Sequence, residues 1–231
     1  MDRCLCVGVP SGPPDEVADL GKQCTYKPSA GMAVRDRLTG KGIRHHPSSG
    51  TIGAMTVELR PWMLEDGPAL CAAYRQNPDL KTQFGSADLA TVDQARAYID
   101  AQLPFTESRR NWAITIDGAA VGNVGLSAID RRHGTAWTYY WLTAAARGRG
   151  YAAQALATVA AAAFEDGLFR LELGHRVNNP ASCRVATRAG FIPEGIERQK
   201  LQYGVERFDV ETHARLRTDA SPDCQMLRLS Q

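Results

Sequence analysis

Four consecutive residues, Arg147-Gly148-Arg149-Gly150, set two glycines and two cations directly before a long alanine-rich run. Glycine is costly inside a helix and is used where backbone must approach something closely. In the run that follows, Leu156, Val159, Ala160, Ala163 and Phe164 fall at helical spacing, with Gln154, Thr158 and Glu165 available for the wetter side. The backbone amides of residues 148 to 152 are then the unpaired first donors of a helix, and with the positive end of its dipole they favour a phosphate or pyrophosphate. A P-loop would need Gly-Lys-Ser/Thr, which is missing. A Rossmann turn would need a third glycine where Ala153 stands, and a parallel sheet before it.

A second group of residues with chemical capacity lies about thirty positions on. Asn179-Pro180 sets an N-cap and first position for a short helix finished by Gly190-Phe191, and Ser182 follows Asn179 by one turn. Cys183 is read as an inert thiol, because no histidine stands near it in sequence to activate a thiolate. His175 is read as a sheet histidine with its hydrogen bonds satisfied. Trp137, Tyr139, Tyr140 and Trp141 share one segment and are expected to be core and pocket wall, since four aromatics in a strand first of all bury area.

Positioning these residues takes a specific order of elements. Val57 and Leu59 alternate with Glu58 and Arg60 as a strand would, Asp66 stands as N-cap for a helix through Leu70, Ala73 and Tyr74, and Thr91-x-x-Gln94 has capping-box spacing for a second helix. Trp112, Ile114 and Ile116 then alternate up to the hairpin signal Asp117-Gly118, the chain returns through Val121 to Leu126, and a second reversal at Arg132-His133-Gly134 leads into a strand over Thr135 to Leu142. After the alanine-rich helix, Leu171, Leu173 and Val177 share one face of a strand joined to Thr135–Leu142 by a helical crossover, and so parallel to it. Gln199 to Tyr203 and Arg207 to Leu216 close the chain as two more strands.

Residues 1 to 54 show no helical or strand period and are rich in Gly, Pro and Ser, so they are expected to be a disordered extension, with Met55 a candidate start of the protein. Residues 55 to 217 are expected to form the domain, and 218 to 231 a tail. A formal charge of +2 argues against a partner that is nucleic acid or an anionic membrane surface. The six cysteines form no C-x-x-C pair and have no histidines at zinc spacing, so unpaired thiols and no metal are expected, and no apolar run reaches the roughly 20 residues of a membrane helix. A cytoplasmic location is expected from the unpaired thiols and the short apolar runs, and the chain is expected to be a monomer or homodimer.

Arg147-x-x-Gly150-x-Ala152 matches the Gln/Arg-x-x-Gly-x-Gly/Ala acetyl-coenzyme A signature of the GNAT N-acetyltransferases, and "YWL…ARGRGYA…NNPASCRVATRAGF…PEG" resembles their RimJ/RimL type, the protein N-terminal acetyltransferases. The resemblance spans roughly residues 55 to 217. It implies an α+β fold with a mixed, mostly antiparallel sheet whose parallel central strands splay apart. It further implies acetyl-coenzyme A as the acetyl donor, its pyrophosphate wrapped by Arg147, Gly148, Arg149, Gly150, Tyr151 and Ala152. The pantetheine arm, which carries two amides, can bond like a strand against Tyr140, Trp141 and Leu142, where a main-chain N–H would polarise the thioester carbonyl. Asn179 would bond that arm and Ser182 would assist the departing thiolate.

Two positions depart from the family. The glutamate that many relatives carry in the strand before the loop is absent from Trp137-Thr138-Tyr139-Tyr140-Trp141, and a carboxylate position after the Gly190-Phe191 turn falls on Leu201. Glu194, Glu197 and Glu206 are nearby in sequence without a place in the site, so the general base is unassigned. The reading is acetyl transfer by direct attack of a primary amine, foremost a protein N-terminus. The alternatives are a small amine such as a polyamine or antibiotic, and a catalytically silent coenzyme-binding regulator.

Overall fold

The computed structural model describes residues 55–230; the expectation for residues 1 to 54 falls outside them. The first strand, β1 (Val57–Pro61), buries Leu59 between the partly exposed Glu58 and Arg60. Asp66 stands at the N-cap of α1 (Gly67–Gln76), as expected, but its carboxylate makes no capping bond to that helix. It accepts from both terminal nitrogens of Arg60, at 2.7 and 2.8 Å, and from the Met63 amide at 3.0 Å. With the two side chains only 15% and 8% exposed, Asp66→Ala would strand the guanidinium. It is expected to cost about 3 kcal/mol in a denaturant titration, against near zero for a surface pair.

A 3-10 turn over Pro78–Gln83 leads to α2 (Val92–Gln102), whose capping box is formed: Thr91 Oγ1 accepts from the Gln94 amide, and Gln94 Oε1 accepts from the Thr91 amide. Next comes the expected meander of β2 (Arg110–Ile116), β3 (Ala119–Asp130) and β4 (Thr135–Leu142). α3 (Tyr151–Glu165) crosses over to β5 (Arg170–Arg176), and α4 (Pro180–Arg188), β6 (Ile192–Tyr203), β7 (Glu206–Leu216) and β8 (Arg228–Leu229) complete the order. One sheet holds all eight strands in the order β6-β7-β5-β4-β3-β2-β1-β8. Only β4·β5 and β1·β8 are parallel pairs.

Strand neighbours such as Tyr140 and Trp141, or Trp112 and Ala113, belong to different apolar clusters, so the sheet has a core on each face. On one face α3 and α4 bury Leu156, Val159, Ala160 and Ala186 against Ile114, Val124, Leu171 and Leu173. The alanines of α3 let it lie close to the strands. On the other, α1 and α2 bury Leu70, Ala95 and Ile99 against Trp62, Phe84 and Trp141.

Four local expectations are corrected. Val177 falls outside β5 and is exposed, leaving His175 as the last inward residue of that strand. β6 starts at Ile192, not Gln199; its first half is exposed on both faces and so carries no alternation, and a register shift between Glu197 and Leu201 interrupts it. The segment after residue 217 is no loose tail, because β8 pairs with β1, and Leu227 and Leu229 pack on the core. That segment also covers Thr158, expected on the wet side of α3: its hydroxyl accepts from the Leu227 amide at 2.9 Å and it is 6% exposed.

Candidate active site

β4 and β5 pair only over Thr135–Trp137 and Arg170–Glu172, and then part. The Thr138 hydroxyl, donating to the Glu172 carbonyl at 3.1 Å, closes the base of this fork. Beyond it, Tyr140, Trp141 and Leu142 have backbone pairs only on the β3 side, so their other edge faces an opening. Such an edge can bond an extended chain with amides of its own.

At the mouth of the fork lies the glycine step. Gly148 and Gly150 adopt φ of +77° and +85°, and a Cβ on either would point into open space. Both facts call for glycine: the left-handed backbone disfavours other residues, and the space beside it is left clear for a ligand. Gly150 is the N-cap of α3, so the amides of Tyr151, Ala152 and Ala153 open its first turn. The two arginines of the step behave differently. Arg149 is exposed, whereas Arg147 turns inward, donating from Nε to the Leu142 carbonyl at 2.9 Å and pairing with Asp79 at 2.8 Å. Arg147 therefore ties the loop to the protein through Nε and Nη1, while its Nη2 has no partner among the described residues and the residue lines the cleft beside the loop. The Ala144 amide, donating to Asn77 Oδ1 at 2.7 Å, gives a second tie.

A cleft of about 190 Å³ joins this loop to α4, lined by Leu142, Gly148, Gly150, Ala152, Arg184 and Arg188 among others. The last two are exposed cations one turn apart on α4, opposite the first turn of α3. Arg184→Ala or Arg188→Ala is expected to weaken coenzyme A binding roughly tenfold in calorimetry, and less at high salt, where exposed charges are screened.

Deeper in the fork, Asn179 and Ser182 form a closed pair. Asn179 Oδ1 caps α4 by accepting from the Ser182 amide at 3.2 Å, while its Nδ2 donates to Ser182 Oγ at 2.9 Å. Ser182 is fully buried, and with its oxygen already accepting, its own hydrogen is left to donate. Tyr140, also fully buried, has its hydroxyl 3.4 Å from the Ser182 carbonyl.

Across the sheet a second cavity, of about 250 Å³, is lined by Gln83, Phe84, Tyr98, Gln102, Leu103, Arg109, Asn123, Ser127, Tyr139 and Trp141. Trp141 and Tyr139 belong to β4, so this cavity backs onto the strand that borders the fork. It contains no carboxylate. Three of its buried polar atoms, Gln83 Nε2, Arg109 Nε and Ser127 Oγ, have no partner among the described residues. Burial pushes the Tyr139 hydroxyl up to about 12, so it stays a neutral donor, here to Asn111 Oδ1 at 2.6 Å.

The carboxylates that sequence left unplaced stay outside both cavities. Glu194 forks onto Arg170, Glu197 pairs with Lys200, and Glu206 is exposed at the start of β7. Leu201 sits on β6 opposite Phe208.

Residues 56–192 match the family model described as an acetyltransferase (GNAT) domain. The chain belongs to the GNAT acetyltransferase family. Among curated relatives, "Probable N-acetyltransferase YjcK" of Bacillus subtilis (strain 168) is 30% identical over 64% of this chain and 86% of its own length. The ribosomal-protein-serine acetyltransferase of Escherichia coli (strain K12) is 34% identical over 42% of this chain and 54% of its own. Among solved structures, RimL, a ribosomal L7/L12 α-N-protein acetyltransferase in complex with coenzyme A, superposes with a TM-score of 0.63 at 24% identity, covering 70% of this chain and 94% of that one. The protein is thus an N-acetyltransferase of GNAT type with a RimL-like fold.

In this GNAT domain the predicted residues Leu142, Arg147, Gly148, Gly150, Tyr151 and Ala152 meet in one cleft, and Asn179, Ser182 and Tyr140 in one contact network. Sequence reasoning missed Arg184 and Arg188, although their four-residue spacing on α4 was a readable signal. It also missed the anchors Asn77 and Asp79, for which no local signal exists. The reading of Cys183 needs amendment: two histidines absent from its sequence neighbourhood stand beside it in space. His175 and His213 are each 1% exposed, their Nε2 atoms 3.0 Å apart. Burial pushes the Cys183 thiol up, helped by Glu211, and pushes His175 down, so neither a thiolate nor an imidazolium is favoured there.

Proposed function

We propose that this acetyltransferase moves the acetyl group of acetyl-coenzyme A onto the α-amine of a protein N-terminus. The observation that carries the reading is the cavity behind Tyr139 and Trp141. It has no carboxylate to hold a polycation, and its unpartnered Gln83 Nε2, Arg109 Nε and Ser127 Oγ suit the carbonyls and hydroxyls of a short peptide. The likeness to ribosomal-protein acetyltransferases supports the same acceptor class.

In this account the pyrophosphate rests on the amides of Tyr151 to Ala153, with Gly148 and Gly150 letting it close and Arg184 and Arg188 facing it. Pantetheine runs along the open edge of Tyr140 to Leu142, where a main-chain N–H polarises the thioester carbonyl. A neutral amine entering from the α1 and α2 side forms the new C–N bond. The C–S bond then breaks, the amine loses its extra proton to water, and the thiolate, held by a hydrogen bond from Ser182 whose hydroxyl Asn179 orients, takes a proton back from water. No step calls for a metal.

The lack of a placed base fits this acceptor. At pH 7 an α-amine of pKa near 7.8 is neutral roughly one time in eight, a lysine amine only about one time in 2,500. A thiol-release screen against N-terminal peptides, lysine peptides, polyamines and aminoglycosides tests the proposal. Release with N-terminal peptides is expected; release only with polyamines or aminoglycosides would replace it with the small-amine reading, and release with no amine would point to a silent coenzyme binder.

A further inference from the structure

We infer that His175, Cys183, Glu211 and His213 form a binding site for one zinc ion on the α4 side of the sheet. One potential ligand atom from each residue lies within 4.8 Å of all the others. Three of the separations are short: His175 Nε2 to His213 Nε2 is 3.0 Å, His175 Nε2 to Glu211 Oε2 is 3.2 Å, and His213 Nε2 to Glu211 Oε2 is 3.3 Å. Ligand atoms about 2.0–2.1 Å from a shared ion are this far apart when they subtend roughly 90° to 110° at it, the range of a tetrahedral site.

The fold assembles the group from three elements. His175 faces Glu211 across the β5·β7 ladder, and His213, two residues along β7, projects from the same face. Cys183, in the first turn of α4, closes the set from above, its Sγ within 4.8 Å of the Glu211 carboxylate and of both imidazoles. Spacings of 8, 28 and 2 residues drawn from a strand, a helix and a second strand match no linear zinc motif, which is why the sequence hid it.

Hydrogen bonding alone leaves the group poorly paired. His175 Nδ1 is 3.1 Å from the Arg176 carbonyl, an atom that only accepts, so the ring hydrogen sits on Nδ1 and Nε2 is a bare lone pair. That lone pair faces the Glu211 carboxylate at 3.2 Å, one acceptor against another. A single hydrogen on His213 Nε2 can serve only one of them at a time. His213 Nδ1 has no partner among the described residues. A cation at the centre satisfies every converging lone pair at once, and the Arg176 carbonyl already fixes the tautomer that a ligating His175 needs. Two imidazoles, one thiolate and one carboxylate suit zinc over magnesium or calcium, which take oxygen. On binding, the Cys183 thiol proton passes to solvent.

Such an ion would pin the residue after Ser182 to β5 and β7, and with it the first turn of α4. It lies outside the acetyl-transfer step, so the inference stands apart from the proposed function.

The test is metal binding to the full chain after chelator treatment. One zinc per chain is expected to survive dialysis, and cobalt substituted for it should give the visible bands of a tetrahedral ion with a sulfur-to-cobalt charge-transfer band. Cys183→Ala should abolish that band, and both it and Glu211→Gln should weaken zinc affinity by roughly 100-fold and remove the zinc-induced rise in Tm. Circular dichroism and coenzyme A binding show that each variant is folded. Failure of the wild-type chain to retain zinc would overturn the site. So would undiminished binding in both variants, which would place the ion on residues such as Cys4, Cys6, Cys24, His45 or His46.

Discussion

Gly150→Val is expected to lose measurable coenzyme A binding while remaining folded. Two physical effects act together at this position. A Cβ would enter the open space beside the first amides of α3, which the pyrophosphate needs, and a β-branched side chain at φ +85° is strained by about 1–2 kcal/mol. Strain alone would lower Tm by several degrees without touching affinity directly. Gly150→Asn separates the two effects, because asparagine tolerates the left-handed conformation but still fills the space. It should keep the wild-type Tm within a few degrees and still bind coenzyme A at least ~100-fold more weakly in calorimetry, about 2.7 kcal/mol. Wild-type affinity in Gly150→Asn would remove the glycine step from the coenzyme site.

The second large effect concerns Ser182. Ser182→Ala is expected to lower kcat by about 10- to 100-fold while changing coenzyme A affinity by less than about threefold, since a hydrogen bond to the thiolate matters only as the C–S bond breaks. Its pH profile carries further information. For wild type and variant alike, kcat/KM should climb about tenfold per pH unit below pH 7 and level off near pH 8, following the acceptor's own amine. Tyr139, pushed up to about 12, does not titrate in that range. A profile governed by a group near pH 6 would show that the enzyme supplies a base after all. Equal loss of kcat and coenzyme affinity in Ser182→Ala would make the serine a packing residue for α4.

Where local chemistry determines local structure, the sequence was readable. The capping box at Thr91 and Gln94, the hairpin at Asp117-Gly118, and the Asn179-Pro180 start of α4 formed as their residue types require. So did the Gly190-Phe191 finish, in which the Phe191 amide reaches the Ala186 carbonyl and the Gly190 amide the Thr187 carbonyl. The loop residues of the cleft were legible for the same reason, because a glycine pair before a helix constrains only its neighbours. Features decided across the chain were hidden. Arg147 was legible as part of the loop, but its tie to Asp79, 68 residues earlier, was not. Asp66 looked like a cap until Arg60 claimed both its oxygens. β8 has two residues and no period to read, and β6 is exposed on both faces, so alternation could not mark its start. The cavity behind Tyr139 and Trp141 draws on α2, β3, β4 and the 3-10 turn before α2, which no single stretch announces.

The most direct test of the whole account uses one peptide that carries a free N-terminal serine and an internal lysine, incubated with acetyl-coenzyme A at pH 7 and mapped by fragment mass spectrometry. A single acetyl group on the α-amine, with the lysine untouched, is the expected result. Acetyl found only on the lysine side chain, or an unmodified peptide in a reaction where spermidine is acetylated, would contradict it.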